Sequence, residues 1–251
     1  MGKDVLTLHS ERKNREIMAC ILAIETSTSV CSVALASAGE VICDQVSFDG
    51  PSHASLVGVY VEECLNVLKE RGLKLDAVAV SSGPGSYTGL RIGASVAKGL
   101  CFGFGIPLIG VHTLDVMADM VIRRAGVEAE GLYCPMIDAR RMEVYAALYN
   151  KVGEVVRPVA ADVVDAETYA AYLAEGRVTF FGDGAAKCAK VITSPHAVFV
   201  EGVSPLASGM FPLAEKAFAE KRFEDVAYFE PFYLKEFRAT IAKNKVLGAA
   251  K

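Results

Sequence analysis

At 251 residues, 52% of them hydrophobic and 22% charged, the chain is too apolar for disorder and long enough for one large domain or two smaller ones with real cores. A formal charge of −4, with no basic run interleaved with aromatics, argues against strong nucleic-acid binding by this chain alone. The longest nearly apolar stretch, residues 99–111, falls short of the roughly 18 residues of a membrane span, and residues 1–17 lack a signal peptide's apolar core; a cytoplasmic protein is expected.

Residues 1–17 are polar and charged and read as an appendage. An apolar strand at 21–24 then ends on an acid, Glu25; a second strand covers 30–36, and Gly39-Glu40 turns into a third at 41–47. A helix at 55–71, a strand at 76–81, a glycine-rich loop, a helix at 90–104 and a strand at 107–111 follow. The order then recurs. A strand at 134–137 ends on Asp138, another covers 143–149, and Gly153-Glu154 turns into Val155-Val156. A helix at 166–175, a strand at 178–181, Gly182-Asp183-Gly184, a helix at 185–192 and a strand at 197–200 complete the second set. The pieces ALASAGEVI (34–42) and ALYNKVGEVV (147–156) match with one extra residue in the second turn, which reads as a duplicated three-strand meander. The expected organisation is an N-terminal lobe at 18–112, a C-terminal lobe at 113–235 and a tail at 236–251; a helix at 206–222 follows the second set, and the sequence leaves open which lobe that final segment packs on. Seven scattered cysteines without a C-x-x-C, several inside apolar runs, point to buried free thiols rather than a disulfide framework or zinc site.

The loop between strand 76–81 and helix 90–104 reads Gly83-Pro84-Gly85-Ser86-Tyr87-Thr88-Gly89. Glycines at a strand-to-helix junction can hold an anion on free backbone N–H groups, or simply make a tight turn. It is not a Walker loop, because Leu90-Arg91 follow Gly89, and not a dinucleotide fingerprint, because Thr88 stands where the third glycine belongs. Nor is it a nucleophile elbow, because Pro84 stands two residues before Ser86.

Two lobes that each open on a strand ending in an acid resemble the actin–Hsp70–sugar kinase superfamily, an α/β architecture of two RNase H-like lobes with mixed sheets and flanking helices. Within it, ILAIETSTSVCSVAL (21–35), GPGSYTGLRIG (83–93), IPLIGVHTLDVMA (106–118), IDARRMEVYAALY (137–149) and PFYL (231–234) closely resemble the bacterial TsaB (YeaZ) family. The resemblance implies a non-catalytic accessory subunit in forming N6-threonylcarbamoyladenosine at tRNA position 37. The catalytic paralogue TsaD and the ATPase TsaE would be its partners, and ATP, magnesium and metal would belong to them. It implies a homodimer when the chain is alone, tRNA contact only within the complex, and no membrane. In the paralogue, two metal-binding histidines lie in V-N-H-x-E-G-H; the corresponding run here is Val111 to Met117, with Thr113 and Met117 at the ligand positions. His112 is left without a partner histidine and reads as structural.

The helices carry the expected functional surface. On helix 55–71, Leu56, Tyr60, Cys64 and Leu68 mark a core stripe, while Val57, Val59 and Val61 make the helix apolar beyond one stripe. On helix 90–104, Gly93, Ala94 and Ala97 permit close helix approach. Together with the family resemblance, this gives an expected partner interface of Val57, Tyr60, Val61, Cys64, Arg91, Gly93, Ala94, Ala97 and Lys98, with Gly83, Gly85, Ser86 and Gly89 as a composite nucleotide or anion loop. Glu25 and Asp138 read either as an acid/base pair across a cleft or as strand-end caps. Arg140-Arg141 read as an anion clamp or a solvated pair, and His53 lies in a helix-capping region. The alternatives to the accessory subunit are a small-molecule kinase of the superfamily, using residues 83–89 for ATP phosphates, and a metal-dependent hydrolase.

Overall fold

In the computed structural model, which describes residues 19–50, 52–126 and 130–235, strand β1 (Cys20–Glu25) is buried along its whole length. Its side chains alternate: Cys20, Leu22 and Ile24 enter one core cluster, Ile21 and Ala23 another on the opposite face. A strand buried on both faces has to read as a continuous apolar run. β1 pairs antiparallel with β2 (Cys31–Ser37) and parallel with β4 (Ala77–Gly83); β3 (Glu40–Ser47) and β5 (Leu108–His112) form the edges. The order is β3-β2-β1-β4-β5.

The second sheet repeats this plan. β6 (Leu132–Asp138), β7 (Glu143–Tyr149), β8 (Val155–Val163), β9 (Val178–Phe181) and β10 (Ala197–Val200) lie in the order β8-β7-β6-β9-β10. Here too the first three strands meander antiparallel and the last two join in parallel. Two five-strand mixed sheets of one topology confirm the expected two-lobed fold. β8 runs on well past Val156, through Pro158, because an edge strand tolerates a residue with no N–H on its outer side.

Helices α1 (His53–Glu70) and α2 (Tyr87–Phe104) cover one face of the first sheet through Val57, Val61, Cys64, Leu68, Ala94, Ala97 and Cys101. Helix α3 (Thr113–Ala125), where the sequence showed only a lobe boundary, sits between the sheets: Val116 packs on the first, and Leu114, Met117 and Ala118 pack on the second. The Tyr149 hydroxyl donates to Asp115 at 2.6 Å across this junction. Short helices α4 (Ala170–Glu175) and α5 (Ala185–Cys188) back the far face of the second sheet.

The structure answers the question of where the C-terminal segment packs. A 3-10 turn (Ala207–Met210) and helix α6 (Phe211–Ala219) pack on the first sheet, against Ile21, Ala23, Ala34 and Ile109, not on the second. The chain then straps across the ends of β4 and β5. Glu224 N–H donates to Leu108 O at 2.9 Å, and Phe232 N–H to Ser82 O at 2.7 Å. The segment from 207 to 232, numbered with 113–235 but left open in its packing by the sequence, therefore lies on the N-terminal lobe, while Lys235 pairs with Glu143 of the second sheet. The expected appendage at 1–17 and tail at 236–251 lie outside the described residues.

Candidate functional site

The glycine loop is the natural starting point, because the loop after β4 lies at the carboxyl end of a parallel strand, where open α/β sheets bind ligands. Helix α2 starts at Tyr87 with Ser86 as N-cap, whose Oγ accepts from Gly89 N–H at 3.3 Å. In front of it lies the turn between β1 and β2. Ser86 N–H donates to Ser27 O at 2.6 Å, and Thr26 Oγ1 donates to Gly89 O at 2.8 Å. A methyl group added at Gly85 or Gly89 would run into the carbonyl oxygens of Ser27 and Thr26, and one at Gly93 into Thr26 Oγ1. At Gly83, where φ is +103°, it would stand 2.6 Å from Phe232 O. Of the residues expected in a composite nucleotide or anion loop, Gly83, Gly85 and Gly89 thus lie against protein backbone, and Ser86 caps the helix. In this chain the glycines let its own turn and strap approach, with Thr26 and Ser27 lying against the loop.

The nine residues expected at the interface divide between core, strap and surface. Val57, Val61, Cys64, Gly93, Ala94 and Ala97 are buried in the chain's own core; Ala97 is 0% exposed. Helix α1 is phased so that His53, Val57, Val61, Cys64 and Leu68 face inward, which leaves Leu56 and Tyr60 half-buried at the edge of the cluster. The small residues of α2 admit Thr26 rather than a partner helix. Lys98 is engaged too: its ammonium donates to Ala227 O at 3.0 Å and Phe229 O at 3.1 Å, clasping the strap. Of the nine residues, Tyr60 and Arg91 reach the surface without such a task in the core or strap. The Arg91 guanidinium lies 5.2 Å over the Tyr87 ring and donates to its hydroxyl at 2.9 Å; Tyr87 in turn packs on Tyr233 at 4.8 Å.

The outer face of the same two helices offers a different set. An open, mainly apolar groove of about 560 Å³ runs between them, lined by Ala54, Val57 and Gly58 of α1 and by Tyr87, Thr88, Arg91, Ile92, Ser95 and Val96 of α2. Val59 flanks it on α1 at 48% exposure, and Phe102, farther along α2, is 87% exposed. Gly58 and Ser95 went unnoticed in the sequence. The signal that could have found them is the 3.6-residue phase: once Val57, Val61 and Cys64 are core, Gly58 must face outward.

The two strand-end acids have parted company. Each accepts a hydrogen bond from the backbone N–H two residues on: Ser27 N–H to Glu25 at 2.6 Å, Arg140 N–H to Asp138 at 2.6 Å. Glu25 is 0% exposed, one of its oxygens has no partner, and burial pushes its carboxyl above the usual range against the hydrogen bonds that oppose the shift. Asp138 is exposed and pairs with Lys187 at 2.5 Å. A sealed acid and an exposed, ion-paired one do not make an acid/base couple; both are turn caps. Arg140 and Arg141 are exposed at positive φ in the β6–β7 turn. His53 is buried, its Nε2 donating to Thr28 O at 2.8 Å.

His112 is exposed, with Nδ1 3.3 Å from Ser82 Oγ, in a polar pocket of about 440 Å³ shared with Glu224, Asp225 and Glu230 of the strap. Thr113 and Met117, at the positions matching the paralogue's ligands, are fully buried. Among the described residues, no group of three or more His, Cys, Asp or Glu side chains is placed to hold a metal ion, and no helix is long and apolar enough to cross a membrane.

Comparison with known proteins agrees with this geometry. Residues 50–243 match the family model described as "TsaD: tRNA N6-adenosine threonylcarbamoyltransferase". The tRNA threonylcarbamoyladenosine biosynthesis protein TsaB of Escherichia coli is 32% identical over 241 residues, covering 91% of this chain and 98% of that protein. Its Bacillus subtilis counterpart is 34% identical over 142 residues, 57% of this chain and 60% of the relative. A Pseudomonas aeruginosa crystal structure, described as an uncharacterized protein with similarity to peptidase YEAZ, superposes with a TM-score of 0.72 at 28% identity, covering 87% of this chain and all of that one. Sequence, topology and relatives converge, and the chain belongs to the TsaB (YeaZ) family.

Proposed function

We propose that this chain serves tRNA threonylcarbamoyladenosine biosynthesis as an accessory subunit that does no chemistry itself. The observation that carries the reading is the filled glycine loop: Thr26 and Ser27 occupy the ground in front of helix α2 that a bound phosphate would need. Positioning and charge stabilisation of a phosphoryl group need open backbone donors there. The matched transferase model does not oppose this, because the positions corresponding to the paralogue's metal-binding histidines are Thr113 and Met117, both packed into the core.

The partner surface is the outer face of α1 and α2, built around the groove with Gly58, Arg91, Ile92 and Ser95, and extended by Val59 and Phe102. A protein of the TsaD type docks there, and a second copy of this chain takes its place when the partner is absent. TsaE and tRNA join the assembled complex, in a cytoplasmic setting, with ATP, magnesium and metal held by the partners. Such an interface buries about 1,200–2,000 Å² in total.

The test is reconstitution of modified tRNA with and without this chain, alongside Gly58→Gln and Ser95→Arg. Both substitutions fill the groove from positions that face outward; at Gly58 an added Cβ meets nothing within 4 Å. The variants are expected to keep the circular dichroism and melting of the parent, lose co-elution with TsaD, and lower the yield of modified tRNA. Undiminished co-elution of both variants overturns the proposed surface. Micromolar MgATP binding with turnover by the isolated chain overturns the non-catalytic role.

A further inference from the structure

All seven cysteines are free thiols, and six are buried; only Cys43, on edge strand β3, is partly exposed. Its sulfur lies 2.9 Å from that of Cys64, which sits fully buried on the inner face of α1. Among the described residues this is the one pair of thiols in direct sulfur–sulfur hydrogen-bond contact. Cys101 and Cys188 donate instead to main-chain carbonyls, Pro107 O at 3.4 Å and Gly184 O at 3.3 Å. A disulfide needs its sulfurs at about 2.05 Å, so closing the pair requires a movement of under about 1 Å.

We infer that Cys43 and Cys64 form a site of reversible oxidation, at which a low-molecular-weight disulfide converts the two thiols into an intrachain disulfide linking β3 to α1. The order of events follows from access. Cys43, the more accessible of the two, loses its proton to solvent and its sulfur attacks one sulfur of the small disulfide; the S–S bond breaks and one small thiolate leaves. Cys64 then gives up its proton and attacks Cys43 in the mixed disulfide, expelling the second small thiolate. In sum, two protein thiols and one small disulfide become one protein disulfide and two small thiols, with two electrons passing to the oxidant. Burial pushes the Cys64 thiol well above its ordinary value, so it is a poor first nucleophile and suits the second, intramolecular step, where proximity offsets its low thiolate fraction.

The bond would tie an edge strand to the middle of α1 and restrain the intervening chain, including the β3–α1 turn. A loop of about 20 residues closed in this way raises Tm by about 5–10 °C in a protein of this size. This inference stands apart from the proposed function, because it concerns the inner face of α1 and is read without any partner.

The experiment incubates the purified full-length chain with excess oxidised glutathione, then denatures it and alkylates its thiols. Two of the seven thiols are expected to be lost and restored by dithiothreitol. Endoproteinase Glu-C cuts after Glu40, Glu62, Glu63 and Glu70, placing Cys43 and Cys64 on separate peptides that remain joined until reduction. Cys43→Ser, at a partly exposed position on an edge strand, is expected to fold like the parent while losing both the linked peptide and the oxidative rise in Tm. Retention of all seven thiols, a glutathione adduct that stops at Cys43, or linkage between any other pair overturns the inference. So does a rise in Tm that survives in Cys43→Ser.

Discussion

Helix α2 contains glycines of two kinds, and the difference between them tests the packing of the loop directly. Gly89 and Gly99 both lie within Tyr87–Phe104, so an alanine at either gains helix propensity of up to about 1 kcal/mol. At Gly99 an added Cβ meets nothing within 4 Å, and Gly99→Ala should stabilise the chain by about 0.5–1 kcal/mol. At Gly89 the same methyl group is driven well inside 3.0 Å of the Thr26 carbonyl oxygen. That oxygen belongs to the backbone and cannot rotate away, so the turn between β1 and β2 has to retreat. Retreat strains two hydrogen bonds that hold turn and helix together, Thr26 Oγ1 to Gly89 O and Ser86 N–H to Ser27 O. Overpacking of this kind costs about 1–3 kcal/mol, and each weakened hydrogen bond up to about 1 kcal/mol more. Less the propensity gain, Gly89→Ala should destabilise by about 2–4 kcal/mol. At about 2–4 °C per kcal/mol, Tm falls by roughly 4–16 °C for Gly89→Ala and rises by roughly 1–4 °C for Gly99→Ala. Urea titration with an unchanged m-value would show that the native state alone is affected. Equal midpoints for the two variants would refute the close contact between loop and turn, and with it the filled anion site.

Two further predictions concern Glu25 and Lys98. Because burial raises the Glu25 carboxyl, its contribution to stability is fully present below its ordinary value of 4.5 and is lost as pH rises through the raised one. Glu25→Gln keeps an oxygen for Ser27 N–H and removes that loss, so its urea midpoint should exceed the parent's at pH 8 and approach it near pH 4; a variant weaker than the parent at pH 8 would contradict the assignment. Lys98→Met keeps the aliphatic stem but withdraws the donor from Ala227 O and Phe229 O. It should cost about 1 kcal/mol and speed amide exchange in residues 224–232, and unchanged exchange there would show that the clasp does not hold the strap.

The duplicated strand order was legible in the sequence because it rests on local signals: acids at strand ends, a Gly-Glu turn in each copy, and apolar runs short enough for buried strands. Residues 143–149, 178–181 and 197–200 fall where the structure has β7, β9 and β10. What did not come through was the rotation of α1 and the destination of the C-terminal segment. Helix α1 carries valines at 57, 59, 61 and 67 in addition to Leu56, Tyr60 and Leu68, so more than one stripe satisfies the helical period. The inward face is decided only when His53 reaches Thr28 O and Cys64 meets Cys43. Likewise, nothing local in Phe211–Ala219 says which sheet it covers. The answer lies in Ile21, Ala23 and Ala34, small or slender side chains on the uncovered face of a sheet almost two hundred residues earlier.

The same contrast accounts for how a duplicated frame came to be used unequally. Both sheets end their first strand on an acid, and a glycine at positive φ closes or follows their fourth, Gly83 at +103° at the end of β4 and Gly182 at +102° just after β9. In the second copy the acid stays at the surface, where Asp138 holds Lys187 and its N–H donates to Asp183 at 2.9 Å. In the first copy the strap, the β1–β2 turn and α2 close over the equivalent ground, and Glu25 is left with one oxygen unpartnered in the core. Burying a carboxyl in this way sacrifices stability, and proton transfer to an external substrate becomes unavailable to it. On the proposed reading, a wide apolar groove and a Phe102 ring open on the far side of the same helix move the working surface from the end of the sheet to the flank of the lobe. The groove variants Gly58→Gln and Ser95→Arg probe the flank, and Gly89→Ala probes the end. If assembly with TsaD responds to the first pair at unchanged stability, while Gly89→Ala acts only in proportion to the fold it unsettles, the two surfaces are separate and the flank is the one that functions.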